Sequence, residues 1–358
     1  MLKLTSLMNV AWLSSPLWVF TSIAFLFLGS VGQPDPLSHP YEKHLTNIRQ
    51  LTFGGTNAEA YFSFDEKMLI FQTTRDPYGC DQIFTMNVDG TNQQPVSTGK
   101  GITTCGYFFP GNKRILFAST HADHPDCYPR PDKSKGYVWG VWNDYQIYAA
   151  NADGSDPTVL TSSPGYDAEA TISPKGDRII FTSSRDGDLE LYTMKLDGTE
   201  IKRITHSVGY DGGANFSWDG TMIVWRADRP ADSASVVEYK TLLSEQLVKP
   251  SRMEIFVSNA DGTNSKQLTN TGSANFAPFF HPDNKRIIYS SNVTDPNGRT
   301  FHLYMLNADG SGRKQITFGG SFNSFPMFTR DGKQVVFISD RNAKGRYEFN
   351  VFIADWVE

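Results

Sequence analysis

A sixfold internal repeat constrains this chain more than any other feature. A turn rich in Pro, Asp, Asn and Gly leads each time into a short apolar run that ends in an aromatic residue. The copies span 65–71, 110–117, 174–181, 218–225, 282–289 and 330–337; one reads Pro174-Lys175-Gly176-Asp177-Arg178-Ile179-Ile180-Phe181. Taking the residue after each turn as an anchor gives Lys67, Lys113, Asp177, Thr221, Lys285 and Lys333, at intervals of 46, 64, 44, 64 and 48 residues. Short strands repeated at roughly 40–50 residues predict an all-β fold, a six-bladed β-propeller with insertions in blades two and four.

Each repeat continues into a second strand and an Asn/Asp-Gly turn, as in Gln82–Gly90 or Leu303–Gly310, where glycine tolerates the positive φ of a tight hairpin. A last strand follows, such as Arg203-Ile204-Thr205. The sixth repeat ends at Asn350–Trp356 without one, while Gln50-Leu51-Thr52-Phe53-Gly54-Gly55 stands alone before the first. The N-terminal strand is therefore expected to complete the last blade, closing the ring and removing free edges. The expected blades are 56–99, 100–163, 164–207, 208–271, 272–319, and 320–356 together with 48–55. The central apolar runs do not alternate with polar residues, as strands buried on both faces require.

Ahead of the repeats, Lys3 precedes an apolar stretch from Leu17 to Leu28, broken only by Thr21 and Ser22, and then Ser30-Val31-Gly32. This pattern predicts a signal peptide at 1–32, an extension at 33–47 and a propeller at 48–358, in a periplasmic or extracellular (secreted) protein. The stretch is short for a membrane span; with Val10–Leu13 added, an uncleaved N-terminal anchor is the one membrane attachment the sequence offers. The net charge is −5, and without Lys3 there remain 32 basic against 38 acidic residues, a net of −6. Such a surface excludes nucleic acid as a partner. Cys80, Cys105 and Cys127 all fall in the first two blades. In an oxidising compartment one pair is expected to bridge, with Cys105 preferred as a member, joined to Cys127 or Cys80.

Counting ten residues back from each anchor gives Asn57, Thr103, Asp167, Asp211, Asn275 and Asn323, expected at the start of the innermost strands and at the mouth of a central funnel. Two residues further on lie Glu59, Cys105, Glu169, Gly213, Ala277 and Phe325, a ring whose variety suits a pocket better than a uniform structural layer. Clustered carboxylates with Asn and Thr oxygens suit a divalent cation such as Ca²⁺, sugar hydroxyls or an amine, and buried carboxylates suit acid–base work. The competing assignment is Asx-type turn bonding to the backbone. The blade-two insertion contains His121, His124 and Cys127, types that ligate transition metals, although a disulfide-stapled loop accounts for the same residues. Asp167, Glu169, Asp211 and His121 are the candidate metal ligands. Pro129–Trp142 is expected to fold over the rim, where Trp139, Trp142, Tyr166 and Tyr210 offer rings to a ligand. The blade-four insertion, 233–252, reads as a short amphipathic helix covering a blade edge.

The repeat, with its Asn-x-Asp-Gly turn, Gln-Leu-Thr strand and Pro-Asp-Gly-Lys-like turn, resembles the WD40-like (PD40) repeat of TolB-type six-bladed propellers over 48–356. Thr104–Pro110, Gly136–Trp139, Gly165–Ala170, Gly209–Gly213, Asn275–Phe279 and Asn350–Trp356 are similar to phrases of secreted bacterial TolB-like proteins. The resemblance implies a fold and a compartment without an activity. TolB itself adds an N-terminal α/β domain for which roughly 15 residues before the first strand leave no room, so its envelope role is not implied. No Gly-x-Ser-x-Gly elbow occurs. The expectation favours a binding module for a protein, peptide or glycan over an enzyme. The alternative is a polysaccharide lyase or hydrolase of the propeller interior, metal-dependent in the form that similar propellers take.

Overall fold

The computed structural model describes residues 37–296 and 298–358; the expected signal segment lies outside the described residues. Among them are six four-stranded antiparallel sheets and one short two-stranded pair. The innermost strands are Thr56–Phe62, Thr103–Phe108, Asp167–Ile172, Asp211–Phe216, Asn275–Phe280 and Asn323–Phe328. Each touches the next, and the sixth returns to the first, so they surround a central channel. The second strand of each blade is the apolar run of the repeat. Phe71, Phe117, Phe181, Trp225, Tyr289 and Phe337 from these runs are all fully buried, which explains why polar residues never interrupt them.

The last blade is completed from the other end of the chain. Leu45–Gln50 pairs antiparallel with Asn350–Trp356 in the sheet that also holds Gln334–Ser339 and Asn323–Phe328. Just before this strand, the Glu42 carboxylate is buried and takes two bonds from Arg341 at 3.0 Å, plus the backbone N–H groups of Phe318 and Gly319.

The insertions meet. In blade four, Asp232 and Ser235 form a reciprocal cap that starts a helix over Ser233–Ser244. The helix is shorter than the 233–252 segment suggested: Tyr239 is its buried anchor, Val237 is exposed, and the chain then turns so that Leu247–Val248 pairs with Trp139–Gly140 of the blade-two insertion. The backbone N–H groups of Val141 and Asn143, which donate to the carbonyl and side-chain oxygens of Gln246, continue this seam. The cysteine pairing also differs from the preferred one. Cys80 is bonded to Cys127, 47 residues away, and Cys105 is the buried free thiol. The physical reason is direction: Cys80 and Cys127 lie in adjoining outer loops, whereas Cys105 sits on an innermost strand facing the channel.

Candidate ligand-binding site

The residues ten before each anchor lie inside the blades rather than at a funnel mouth. Asn57, Thr103, Asp167, Asp211, Asn275 and Asn323 have 0% exposure. Four of them meet an arginine eighteen residues later: Arg75 donates to Asn57, Arg185 to Asp167, Arg229 to Asp211 and Arg341 to Asn323. Each guanidinium also covers an aromatic ring of its blade, as Arg185 does Phe181 and Tyr192. Thr103 is tied instead to Ser119, and Asn275 to Glu254 and Thr271. These polar groups lock strand to strand, which is why all are hydrogen-bonded and none lines the channel cavity.

The next ring is different. Glu59, Cys105, Glu169, Gly213, Ala277 and Phe325 all line one cavity. All six have positive φ, between 46° and 60°, and the strand register slips at each. A bulge of this kind puts an extra residue on one strand and re-aims its side chain. For five residues with a Cβ the left-handed conformation costs about 1 kcal/mol each. Five blades therefore spend backbone energy to point this one position into the channel, and blade four reaches the same geometry with a glycine.

Gly213 shows why the ring breaks its pattern in blade four. A Cβ there would lie 2.3 Å from Nη1 of Arg226, so the missing side chain is the space into which the guanidinium reaches. Arg226 sits five residues after its anchor, on the second strand, where the other blades have Gln72, Ala118, Thr182, Ser290 and Ile338. It is buried, and its Nη2 donates to Glu169 of blade three at 2.9 Å. Glu169 also accepts from the Tyr210 hydroxyl at 2.6 and 2.7 Å, Thr182 at 2.9 Å, the Gly213 N–H at 2.7 Å and Tyr166 at 3.4 Å. Sequence counting found Glu59 and Glu169 but missed Arg226; the same register applied to the second strand singles it out.

The other channel carboxylate has no such set of donors. Burial pushes Glu59 up to about 7, against the lowering effects of the Cys105 thiol and Arg226 and with the help of Glu169 and Asp81. Burial, with Glu59 and Glu169 nearby, pushes the Cys105 thiol well up, so it is protonated and a poor nucleophile. Burial works against the Arg226 charge, yet Tyr210, Glu169 and Glu59 outweigh it and hold its pKa above the ordinary value.

Over this end of the channel lies a second apolar core made with the insertions. Val141, Tyr145, Tyr166, Tyr210, Tyr239, Val248, Phe276 and Ala277 belong to it, with Trp139, Trp142 and Phe325 packed against it. Of the expected rim residues, Tyr166 and Tyr210 are buried at Glu169. Trp139 covers Arg226 at 5.3 Å and packs on Phe276, while Trp142 stacks on Tyr128 at 4.4 Å. The insertions thus form a cap that reaches the site through Trp139.

A family model for the TolB β-propeller domain (PD40) matches residues 130–247 and 240–356, more than half of the chain. The chain belongs to the PD40 TolB β-propeller family. Among solved structures it is similar to a protein assigned as TolB from Agrobacterium tumefaciens, at 16% identity and a TM-score of 0.58, covering 87% of this chain and 97% of that one. TolB from Acinetobacter baumannii matches at 18% identity and 0.54, with 85% of this chain covering 64% of that one. An oligogalacturonate lyase solved in complex with manganese matches at 14% and 0.51, over 87% and 93% of the two chains. At these identities the likeness is one of fold.

The manganese of that lyase prompts a test of this family member's own residues. Among the described residues no group of three His, Cys, Asp or Glu side chains converges as a metal site. Asp167 and Asp211 are held by Arg185 and Arg229, Glu169 by Arg226, and His121 bonds Ser119 and packs on Tyr148. The candidate metal ligands are thus four separate interactions, and they do not fit a shared cation.

Proposed function

We propose that this PD40 propeller is a ligand-binding module acting in the periplasm or outside the cell, which holds a segment of a protein, a peptide or a glycan in its central channel beneath the cap. One observation carries the proposal: six equivalent strands each accept a bulge that turns the same position into a shared cavity. A scaffold alone gains nothing from that repeated strain, whereas a site built from one residue per blade requires it. The variety of the six residues gives the cavity a charged side at Glu59, Glu169 and Arg226 and an apolar side at Ala277 and Phe325. Among the described residues no helix is long and apolar enough to cross a membrane.

A thermal-shift screen of oligosaccharides, short peptides and small amines tests this function. Hits are expected to stabilise the wild type and to lose that effect in Ala277→Leu, which fills the cavity from its apolar side. Hits that stabilise both proteins equally place the ligand elsewhere and contradict the proposal.

A further inference from the structure

We propose that the channel takes a ligand presenting a primary ammonium group close to an acceptor oxygen, the ammonium against Glu59 and the oxygen on the Arg226 guanidinium. This deepens the channel-binding function above and rests on it. The cavity contains two carboxylates and one guanidinium. Glu169 is satisfied by Arg226 and the surrounding donors, so its charge is already balanced. Glu59 meets the Cys105 thiol and no cation of its own, so whenever it is ionised the site is one positive charge short. Arg226 is 7% exposed, yet its Nε–H has no acceptor. A buried donor left unpaired costs about 1–3 kcal/mol, which an incoming oxygen recovers.

The remaining walls suit the same ligand. Tyr61, Phe279 and Phe325 line the cavity and supply aromatic surface beside an alkylammonium stem. A neutral sugar would reach Arg226 but bring no charge to Glu59. A ligand with only a carboxylate would meet repulsion from Glu59. The groups that act on Glu59 are the Cys105 thiol, Arg226, Glu169 and Asp81, and Tyr61 lies within its influence. Because burial sets Glu59 at about 7, the empty site is about half protonated at neutral pH, and an arriving ammonium displaces that proton.

The test is calorimetric titration with β-alanine benzylamide, whose aliphatic amine stays protonated between pH 6 and 8, and with its N-acetyl derivative. The amine is expected to bind roughly tenfold more tightly at pH 8 than at pH 6, releasing about half a proton at pH 7. Glu59→Gln should remove both the pH dependence and at least tenfold of the affinity while keeping a cooperative thermal transition. Equal binding of the acetylated probe, lost in Ala277→Leu, overturns the ammonium inference and leaves the channel function standing. Binding of both probes that survives Ala277→Leu overturns the channel function itself. Absence of amine binding at millimolar concentration also overturns the inference.

Discussion

Glu59 and Arg226 carry opposite lessons about a buried charge. Glu59 has a folded-state pKa of about 7 against an ordinary 4.5. The fold therefore holds its proton more tightly than the unfolded chain does. The resulting stability is complete below pH 4.5 and is lost as the pH rises through 7. Glu59→Gln, which keeps the neutral shape, is expected to gain roughly 3 kcal/mol over wild type at pH 8 and almost nothing at pH 4, as chemical denaturation at the two values would show. Arg226→Met leaves Glu169 buried without its cation and is expected to cost about 3–5 kcal/mol, with part recovered in Arg226→Met/Glu169→Gln. Of this pair, sequence counting made Glu169 legible because it shares a register with Glu59. Arg226 was hidden because it comes from a different strand, and only the emptiness of Gly213 lets it arrive.

At the scale of elements, the repeat itself was readable because buried strands and turns impose local sequence rules. The role of the first polar ring was not, since position at a strand start does not tell an inward-facing side chain from one turned into its own blade. The arginine eighteen residues on tells them apart. Arg185→Ala should leave the fully buried Asp167 carboxylate unpaired and lower stability by about 3 kcal/mol, whereas Asp167→Asn should cost less, a contrast that urea unfolding measures directly. The start of the blade-four helix at Ser233 was legible from its apolar pattern, and the structure caps it with Asp232 and Ser235, but its end was set by a partner far away in sequence, the Trp139–Gly140 strand. The Cys80–Cys127 bond tethers the blade-two insertion to blade one. Replacing both with Ser is expected to cost about 2–4 kcal/mol and to open the 121–144 segment to limited proteolysis before the blades.

The whole molecule depends on closing its ring with residues from both ends. That an N-terminal strand closes the ring was foreseeable from a repeat lacking its last strand, but the strand that pairs with Asn350–Trp356 is Leu45–Gln50, upstream of most of the expected 48–55. The buried Glu42–Arg341 pair beside it was not foreseeable, because 33–47 carries no repeat signature. Glu42→Ala should lower stability by about 3–5 kcal/mol and, by loosening the closure, promote association through the freed edge, visible by light scattering. Along the channel, a second cavity opens at the other end of the innermost strands, lined by Phe62, Phe64, Trp218, Met327 and Arg330, with Phe279 bordering both. The charged chamber and the aromatic one are thus distinct environments on one axis, and the bulge ring belongs to the charged chamber. The most direct test is alanine-methyl NMR during titration with the best hit of the thermal screen. The Ala170 and Ala277 methyls, which line the charged cavity, should shift while those of Ala149 and Ala354 inside the blades stay fixed. Shifts confined to Ala122 and Ala231, on exposed loops, would contradict a site in the channel.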